Sequence, residues 1–509
     1  MKSFYITTAI DYVNALPHLG TAYEKIGADA VARYYRLCGY DTFFMMGVDE
    51  HSVNVEREAK SKGLDVLQYC DGMAQKFEEV WRSLNISYNK FIRTTDTKHR
   101  QVVQNFFQKI YDNGDIYKGF YEGFYCVSCE NFILEKDLVD GLCSTHKIKP
   151  EFLKEENYFF KLSKYQKPLL DFYESHRDFI QPEIRFNEIY NVVQSGLQDV
   201  SITRSNAKWG IPVPFDSRYI VYVWFDALIN YVSGIDYMFK ESQSFEKFWP
   251  ADVHVIGKDI TRFHCVIWPA MLMSMKLPLP KKVFGHGFVY LKGEKMSKTR
   301  GTVVSPLDAA KERGVDALRY YLLREVAFDR DGDFTWEGFY QRYDADLAND
   351  LGNLFQRVLS MIDRYSKGKI GAIHYLLPVD QDFQSTFEKS FEKFHVCMKA
   401  LALSPALSAV WECIQRSNRY VDETMPWSLN KDSNKKDELE KVLALLVEGL
   451  GVIAVMLAPF MPETAQKMWK QIGLEGSSMD YSQKIEWGKR QGSSILKPEI
   501  LFPKVLQTA

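Results

Sequence analysis

The sequence predicts an α/β fold in which an insertion splits a parallel sheet and an all-α helix bundle follows. Strand and helix patterns alternate over the first hundred residues and again from about residue 219, whereas 116–217 has short aromatic-rich segments without this alternation. From about residue 343 onward, nearly every segment has the apolar period of a helix.

A chain of 509 residues is too long for one hydrophobic core, so several domains are expected. The predicted boundaries are 1–115 with 218–275 for the sheet, 116–217 for the insertion, 276–342 for a region that connects sheet and bundle, and 343–509 for the bundle. The 64 basic and 66 acidic residues give a net charge of −2. This balance excludes a wholly basic nucleic-acid binder and restricts any RNA contact to local patches.

The sequence also indicates the cellular compartment of the protein. The N-terminus enters a predicted strand within four residues, which leaves no room for a secretory signal. The most apolar segment, Gly449 to Met461, is shorter than the roughly 20 residues that span a bilayer, so it predicts a buried helix and no membrane contact. Eight cysteines, three of them clustered, indicate reduced thiols and one metal site. We expect a cytoplasmic protein, or one of an organelle matrix after loss of a transit peptide.

The first strand leads into the turn that concerns function most. Phe4 to Thr8 reads as a buried strand, and the apolar period after Leu19 predicts a helix that ends at Gly39. His18 and Gly20 therefore lie in the first helical turn, where unpaired N–H groups and the helix dipole favour an anion. A glycine and a histidine in an ordinary turn remain the alternative.

A second candidate follows the next strand. Asp41 to Asp49 reads as a strand and Val53 to Lys62 as a helix. Because ligands bind outside the carboxyl ends of parallel strands, Asp49 is placed to pair with a ligand ammonium. A helix-capping aspartate explains the same residue equally well.

The insertion contains two close pairs of metal-binding residues. Cys126 and Cys129 form one pair, and Cys143 and His146 form the other, about 13 residues further on. This spacing is typical of a structural zinc knuckle with three thiolates and one imidazole, and four protein ligands leave no position for a reacting water. Free cysteines are the alternative.

Beyond the insertion, strand and helix patterns return. Tyr219 to Val223 predicts a strand, and the side chains that follow at helical spacing share one face: Trp224, Ala227, Leu228 and Tyr231. Val253 to Ile256 predicts a further strand, followed by Gly257 to Ile260 and a helix that carries His264. Ordinary core packing is the alternative for the Trp224 face.

One more strand, Val283 to Tyr290, precedes a loop in which Lys295 and Lys298 are bounded by glycines. Two lysines three residues apart suit phosphate oxygens, although a solvated charged loop is the commoner explanation. Ala309 to Arg324 and Tyr343 to Tyr365 predict helices.

Two motifs resemble the paired signature of class I aminoacyl-tRNA synthetases: His18-Leu19-Gly20-Thr21 and Lys295-Met296-Ser297-Lys298-Thr299, separated by the knuckle insertion. The resemblance narrows to the methionyl-tRNA synthetase family, in its bacterial or organellar group with a single knuckle. The segments that narrow it are Ala9 to Asn14, Gly47 to His51, Phe91 to Asp96, Val223 to Ala227, Ile256 to Ile260, Phe263-His264, Leu347 to Asn353 and Pro426-Trp427.

The resemblance covers essentially the whole chain and thins after about Gly473. It implies a Rossmann-like catalytic domain with a connective insertion, a stem-contact region that carries the lysine loop, and an anticodon-binding bundle. It implies that methionine and ATP react to methionyl-adenylate and pyrophosphate, and that the aminoacyl group then passes to the terminal adenosine of tRNA(Met).

For the ATP site, the resemblance implies that His18 and Thr21 contact the phosphates and that Gly20 makes room for adenine. Gly257 and Asp259 match positions that hold adenine and ribose. Lys295 and Lys298 close over the β- and γ-phosphates, and Mg²⁺ shares the phosphate charge. Such a site works mostly by positioning and electrostatic stabilisation.

For the amino acid, the resemblance implies an aromatic pocket with a polar check on the thioether, and Asp49 as partner of the ammonium. The matching pocket residues are Ile10, Tyr12, Trp224, Ala227, Leu228, Tyr231, Ile260 and His264. The insertion is too short to hold the large editing domain of branched-chain members, which argues against leucine, isoleucine and valine.

In the bundle, Asn353 and Arg357 are four residues apart on one helical face, and Trp427 matches the family's base-stacking tryptophan. The resemblance implies that these three residues bind a CAU anticodon loop. Because the chain ends soon after the bundle, without the appended domain that makes some relatives dimers, we expect a monomer.

Several residues depart from the family's commonest pattern: Thr21, Thr299, Ser52, Asp11 and Asp344. Two other classes of function compete with the resemblance. An inactive, synthetase-like RNA-binding protein predicts damaged phosphate motifs, yet His18, Gly20, Lys295 and Lys298 are intact. A different nucleotidyltransferase on the same fold leaves the helix bundle unexplained.

Overall fold

The computed structural model describes residues 2–128, 131–133, 135–145, 147–205, 207–295, 303–478 and 485–503. The strands are β1 Ser3–Thr8, β2 Asp11–Tyr12, β3 Asp41–Asp49, β4 Lys90–Arg93, β5 Ile116–Cys126, β6 Asn131–Ile133, β7 Leu138–Val139, β8 Leu142–Cys143, β9 Glu151–Phe160, β10 Ile180–Gln181, β11 Val200–Ser201, β12 Thr203–Arg204, β13 Pro212–Val213, β14 Asp216–Val221, β15 Val253–Gly257, β16 Val283–His286, β17 Val289–Leu291, β18 Glu294–Lys295 and β19 Gly332–Phe334.

The helices alternate with these strands and then continue alone to the end of the bundle. They are α1 Leu19–Leu37, α2 Val53–Ser61, α3 Val66–Ser83, α4 Thr97–Asp112, α5 Gln166–Ser175, α6 Glu183–Gln194, α7 Val223–Leu228, α8 Asn230–Ser233, α9 Ser244–Phe248, α10 Trp268–Ser274, α11 Pro306–Arg313, α12 Val315–Glu325, α13 Trp336–Arg342, α14 Asn353–Ser366, α15 Pro378–Lys399, α16 Leu403–Thr424, α17 Pro426–Leu429, α18 Lys436–Leu457 and α19 Pro462–Gln471. Wider π-helical segments, Phe263–Ile267 and Tyr343–Gly352, lead into α10 and α14.

A seven-stranded parallel sheet confirms the predicted fold class. Its order is β10-β16-β15-β1-β3-β2, with β4 also paired to β3, and every pairing is parallel. β1 lies between β3 and β15, so strands from before and after the insertion are direct neighbours. The strand order reverses at β1, and the carboxyl ends on either side of such a point open a crevice where ligands bind.

The insertion is built mostly of antiparallel strands, yet it also contributes to the main sheet. β5 and β9 pair along their lengths within a four-stranded antiparallel sheet. The chain then returns to the parallel sheet as β10, where Ile180 lies opposite Val283. Sequence analysis assigned no strand of this sheet to 116–217, because two residues are too few to show a period.

Two predicted elements are each divided at a glycine. The strand predicted over Val283 to Tyr290 is wrong as a single element, because the chain leaves the main sheet after His286 and β17 pairs with β18 and β19. At Gly287 a Cβ atom would lie 2.1 Å from the Arg330 carbonyl carbon, so only glycine fits. The helix predicted over Ala309 to Arg324 is likewise two helices, since Gly314 has a φ of +93°.

The C-terminal part is a helix bundle, as predicted. Gly449 to Leu457 is the last part of α18 and is buried throughout, as expected for a core helix. Within the described part of the chain, no helix combines the length and apolarity needed to cross a membrane.

A fully buried arginine joins the sheet domain to the bundle. Arg319 on α12 donates to the Asp29 carboxylate of α1 at 2.7 Å, and to the backbone carbonyls of Pro459 and Phe460 at 3.2 and 2.8 Å. Its remaining nitrogen donates to the carbonyls of Leu84 and Asn85 at 3.3 and 3.4 Å. α1, which His18 caps at its N-terminus, is therefore fixed against the bundle.

Candidate active site

A cavity of about 620 Å³ opens at the carboxyl ends of β1, β3, β15 and β16. It brings together residues that are scattered over the sequence, including every predicted methionine-binding residue. The predicted site residues that line it are Ile10, Tyr12, His18, Gly20, Thr21, Asp49, Trp224, Ala227, Leu228, Tyr231, Gly257, Asp259, Ile260 and His264.

His18 is the N-cap residue of α1, and its ring orientation follows from the cap. The Nδ1 atom accepts a hydrogen bond from the Thr21 N–H at 3.3 Å. In the neutral ring this leaves the proton on Nε2, so the imidazole has a hydrogen-bond donor on its other side. Gly20 leaves room for this ring, because a Cβ atom at position 20 would lie 2.9 Å from it.

The Thr21 hydroxyl completes a reciprocal cap. It accepts a hydrogen bond from the His18 N–H at 2.9 Å and donates to the His18 carbonyl at 2.8 Å. This arrangement is a capping box, in which a side chain three residues into the helix satisfies the backbone of the N-cap residue. Thr21 thus fixes the backbone that carries His18.

Aromatic rings form one wall of the cavity. Trp224 stacks on Phe263 with ring centroids 4.0 Å apart and an interplanar angle of 10°. Tyr12 meets Trp224 edge to face at 6.3 Å. These rings come from the β1–α1 connection, α7 and the π-helical segment before α10, so the cavity wall depends on three separate parts of the chain.

A neutral polar pair lies among these rings. The His264 Nδ1 bonds to the Ile260 carbonyl at 3.0 Å, so Nδ1 carries the proton and Nε2 accepts from the Tyr231 hydroxyl at 2.6 Å. Burial lowers the pKa of His264 to about 4, and the imidazole is uncharged at neutral pH. The pair presents polar atoms without adding charge to an otherwise apolar pocket.

Asp49 is buried at the end of β3, where its carboxylate accepts from the His51 N–H at 3.3 Å. His51 in turn lies 2.6 Å from Asp226, whose other oxygen lies 2.7 Å from His99. Burial favours the neutral form of Asp226, but the two imidazoles reverse that effect and lower the pKa. The network connects the Asp49 turn to α7, which carries Trp224.

Sequence analysis missed several residues that line the cavity. These lining residues are Ala9, Asp11, Asn14, Glu24, Asn54, Asn230, Phe263, His286, Phe288 and Val289. Sequence analysis also gave no role to His51 and Asp226, which contact each other next to Asp49, since nothing local indicates that they meet.

The lysine loop begins beside the cavity. Lys295 ends β18, and its backbone pairs with Tyr290 on β17, whose first residue, Val289, lines the cavity. Lys298 lies outside the described residues, as does the rest of 296–302.

The knuckle prediction is only partly within the described chain. Cys126 ends β5 and Cys143 ends β8, and both are buried. The Lys147 N–H donates to the Cys143 carbonyl at 2.9 Å. Cys129 and His146 lie outside the described residues. Among the side chains that are described, no three potential ligands come together as a metal site.

The knuckle turns also reach the cavity. Ser128, two residues after Cys126, and Thr145, two residues after Cys143, both line it. The insertion therefore supplies part of the wall opposite the sheet.

In the bundle, the structure brings two of the three predicted anticodon residues into contact. The Arg357 guanidinium lies 5.1 Å from the centre of the Trp427 ring and donates to Asp422 at 2.9 Å. Asn353 is the first residue of α14, one turn before Arg357, and both are exposed. Trp427 is half-buried at the start of α17.

Comparison with known proteins agrees with this architecture. The family described as tRNA synthetases class I (M) matches residues 4–147 and 133–359, and the anticodon binding domain of methionyl tRNA ligase matches 375–509. A methionine–tRNA ligase of Caldanaerobacter subterraneus is 46% identical over 99% of this chain and 79% of its own length. One of Thermotoga maritima is 43% identical over 99% and 80%.

Solved structures agree in the same way. Mycobacterium tuberculosis methionyl-tRNA synthetase in complex with methionyl-adenylate has a TM-score of 0.95 and 38% identity, and the match covers 99% of this chain and all of that one. The free form of that enzyme has a TM-score of 0.88 at 36% identity, with 99% of each chain covered.

The split parallel sheet, the capped His18 turn at its carboxyl edge and the following bundle define a class I aminoacyl-tRNA synthetase. Within that class, the chain belongs to the methionyl-tRNA synthetase family.

Proposed function

We propose that the 620 Å³ cavity is where this methionine–tRNA ligase joins methionine to AMP and then transfers it to the terminal adenosine of tRNA(Met). One observation carries the proposal: a single cavity holds the His18 turn, Asp49 and the Trp224 face. An anion site, an ammonium partner and an apolar pocket are what activation of methionine by ATP requires.

In the first step, a methionine carboxylate oxygen forms a bond to the α-phosphorus of ATP, and the bond from that phosphorus to pyrophosphate breaks. Negative charge builds up on the phosphate oxygens as this happens. His18 donates from Nε2 to a phosphate oxygen, and Lys295 and Lys298 add positive charge that offsets the charge of the phosphates. Mg²⁺, bound with ATP, neutralises part of the phosphate charge. Gly257 and Asp259 hold adenine and ribose.

Methionine lies with its side chain in the aromatic pocket. Asp49 pairs with the ammonium, and the stacked Trp224 and Phe263 rings enclose the thioether, whose polarisable sulfur interacts well with aromatic rings. Ile10, Tyr12, Ala227, Leu228 and Ile260 supply the remaining apolar surface. The Tyr231–His264 pair supplies the polar group that selects the thioether. An uncharged hydroxyl suits a thioether sulfur better than a charged group does.

In the second step, the 2′-hydroxyl of the terminal adenosine attacks the carbonyl carbon of the adenylate, and AMP leaves. The bundle contributes by holding the anticodon. Arg357 and Trp427 form a cation–π pair on which an unstacked base can stack, with Asn353 one turn away to bond a base edge. We propose that the protein acts in the cytoplasm or in an organelle matrix, since tRNA is charged in both.

Replacing Arg357 with alanine should raise the KM for tRNA(Met) by about 5- to 150-fold, the effect of losing one stacking contact. Methionine-dependent pyrophosphate exchange should not change, because Arg357 lies on α14 of the bundle and does not line the cavity. Asp422→Ala is the matched control, since it frees the same guanidinium and should not weaken tRNA binding. A tRNA KM that is unchanged in Arg357→Ala would contradict the anticodon assignment.

We also propose that Cys126, Cys129, Cys143 and His146 hold one structural zinc ion. The two described thiols are buried at strand ends, and the Lys147 N–H bonds back to the Cys143 carbonyl. Three thiolates and one imidazole are a donor set that suits zinc.

Cys126→Ser should release the zinc, so that metal analysis finds well under one ion per chain. Because Ser128 and Thr145 line the cavity, the loss should also raise the KM for methionine or ATP. Cys397→Ser is the control, since this cysteine lies in the bundle on α15 and should leave the zinc content unaltered. Purified wild-type protein without zinc would exclude the knuckle.

A further inference from the structure

Behind three residues of the cavity wall lies a buried cation that the proposed reaction does not yet use. Lys25 lies on α1, two turns from His18, and none of its surface is exposed. Its ammonium donates to the Ala9 carbonyl at 2.9 Å and to Glu24 at 2.6 Å, and it lies 3.0 Å from the Asp11 carboxylate. The first two contacts are hydrogen bonds, and the contact with Asp11 is an ion pair.

The partners of Lys25 belong to the cavity itself. Ala9, Asp11 and Glu24 line it, and Ala9 and Asp11 flank Ile10 of the methionine pocket. The second oxygen of Glu24 lies 3.0 Å from the Nε2 atom of His286, another lining residue. Lys25 thus connects the chain that leaves β1 with the end of β16.

The contacts of Lys25 matter because they balance the charges of Asp11 and Glu24. Asp11 and Glu24 are two carboxylates on the wall of a cavity that receives a polyphosphate, and Lys25 is the buried cation between them. Burial raises the pKa of Asp11 to about 6 against the opposing effect of Lys25, so the carboxylate depends on this neighbour to stay ionised at neutral pH. Without the ammonium, both carboxylates would oppose ATP or take up protons.

We propose that Lys25 and Asp11 form a positioning pair for methionine activation: together they fix the Ala9–Tyr12 segment of the methionine pocket and cancel the negative charge beside the ATP site. The pair rests on the proposed function of the cavity. It gives a role to Asp11, at which the sequence departs from the common pattern of the family.

The test is a cycle of Lys25→Met, Asp11→Asn and the double variant, measured by methionine-dependent pyrophosphate exchange. We expect Lys25→Met to lower kcat/KM by at least about tenfold and to raise the KM for ATP, since Asp11 and Glu24 then lack their cation. The double variant should recover about tenfold of that loss, because the uncompensated Asp11 charge is gone. Lys60→Met, in an exposed pair with Glu56, is the matched control and should behave as the wild type.

Asp11→Asn alone gives an independent readout. It leaves the bonds of Lys25 to Glu24 and Ala9 in place, so the protein should fold even if Lys25→Met does not. The KM for methionine should rise several-fold, because the Ala9–Tyr12 segment loses its ion pair with Lys25. The KM for ATP should not rise, because a negative charge beside the ATP site is removed.

Three results would overturn the pair: a Lys25→Met variant within twofold of wild type, single effects that simply multiply in the double variant, or an Asp11→Asn variant with an unchanged KM for methionine. Wild-type protein is measured in the same assay. A wild type without exchange activity rejects the proposed function, whereas an active wild type with any of these three results rejects only the pair.

Discussion

Replacing His18 with alanine is expected to slow methionine-dependent pyrophosphate exchange by about 10²- to 10³-fold, the effect of removing one preorganised donor from a developing oxyanion. The Nε2 donor faces the site because the Thr21 N–H occupies Nδ1. The loss should appear in kcat, with methionine binding within about twofold of wild type, since only the transition state gains from this donor.

The alanine variant also removes the cap of α1, so a second variant must separate the two effects. Asparagine is a strong N-cap residue and keeps an acceptor for the Thr21 N–H. His18→Asn should therefore restore the thermal stability lost in His18→Ala, by about 1 kcal/mol, but not the exchange rate. Recovery of near-wild-type exchange in His18→Asn would mean that His18 acts only as a cap.

The second large effect concerns stability. Asp29→Ala is expected to destabilise the protein by about 3–5 kcal/mol, because it leaves the guanidinium of Arg319 buried without its carboxylate. Both side chains of that ion pair are fully buried. Differential scanning calorimetry measures the change as a lower unfolding temperature for the catalytic domain and the bundle, which this junction joins.

Asp171→Ala is the control, since it removes an exposed carboxylate whose pair with Lys167 should contribute about 0–1 kcal/mol. An Asp29→Ala unfolding temperature equal to that of the control would mean that the junction does not hold the domains together.

The same junction predicts a pH dependence. Burial alone would raise the pKa of Asp29, but Arg33, Arg319 and the Ser87 donors reverse this and hold the pKa well below its usual range. A carboxyl with a depressed folded-state pKa contributes stability above its unfolded pKa of about 3.9, and the contribution is lost as the pH falls below that value. The difference in unfolding temperature between wild type and Asp29→Ala should thus shrink below about pH 4.

Much of the site could be predicted because its residues lie in contiguous motifs. The His18 turn, the end of β3 and the Trp224 face each carry a local pattern, and the sheet topology brings their strand ends together. Family resemblance then selected the pocket over core packing for the Trp224 face, which periodicity alone did not favour.

What could not be predicted depends on contacts between distant residues. Asp226 meets His51 and His99 across 175 and 127 positions of the chain, and Arg319 meets Asp29 across 290. No local period or spacing marks such a pair. The two-residue strand β10 was not predicted for a related reason: only its pairing with β16 defines it as a strand.

Thr21 shows how the structure sharpens a motif. The sequence left open what Thr21 does at a position where the chain departs from the family's commonest pattern. The hydroxyl bonds both the N–H and the carbonyl of His18, so the residue stabilises the turn that aims the first histidine. Contact between Thr21 and the phosphates stays a prediction.

Pyrophosphate exchange by the purified wild-type chain tests the central claim most directly. Labelled pyrophosphate should enter ATP when methionine is present, and not when leucine, isoleucine or valine replaces it, because the cavity is proposed to activate a thioether amino acid with the help of His18 and Asp49. Folded protein that gives no methionine-dependent exchange, or equal exchange with these other amino acids, would contradict the account.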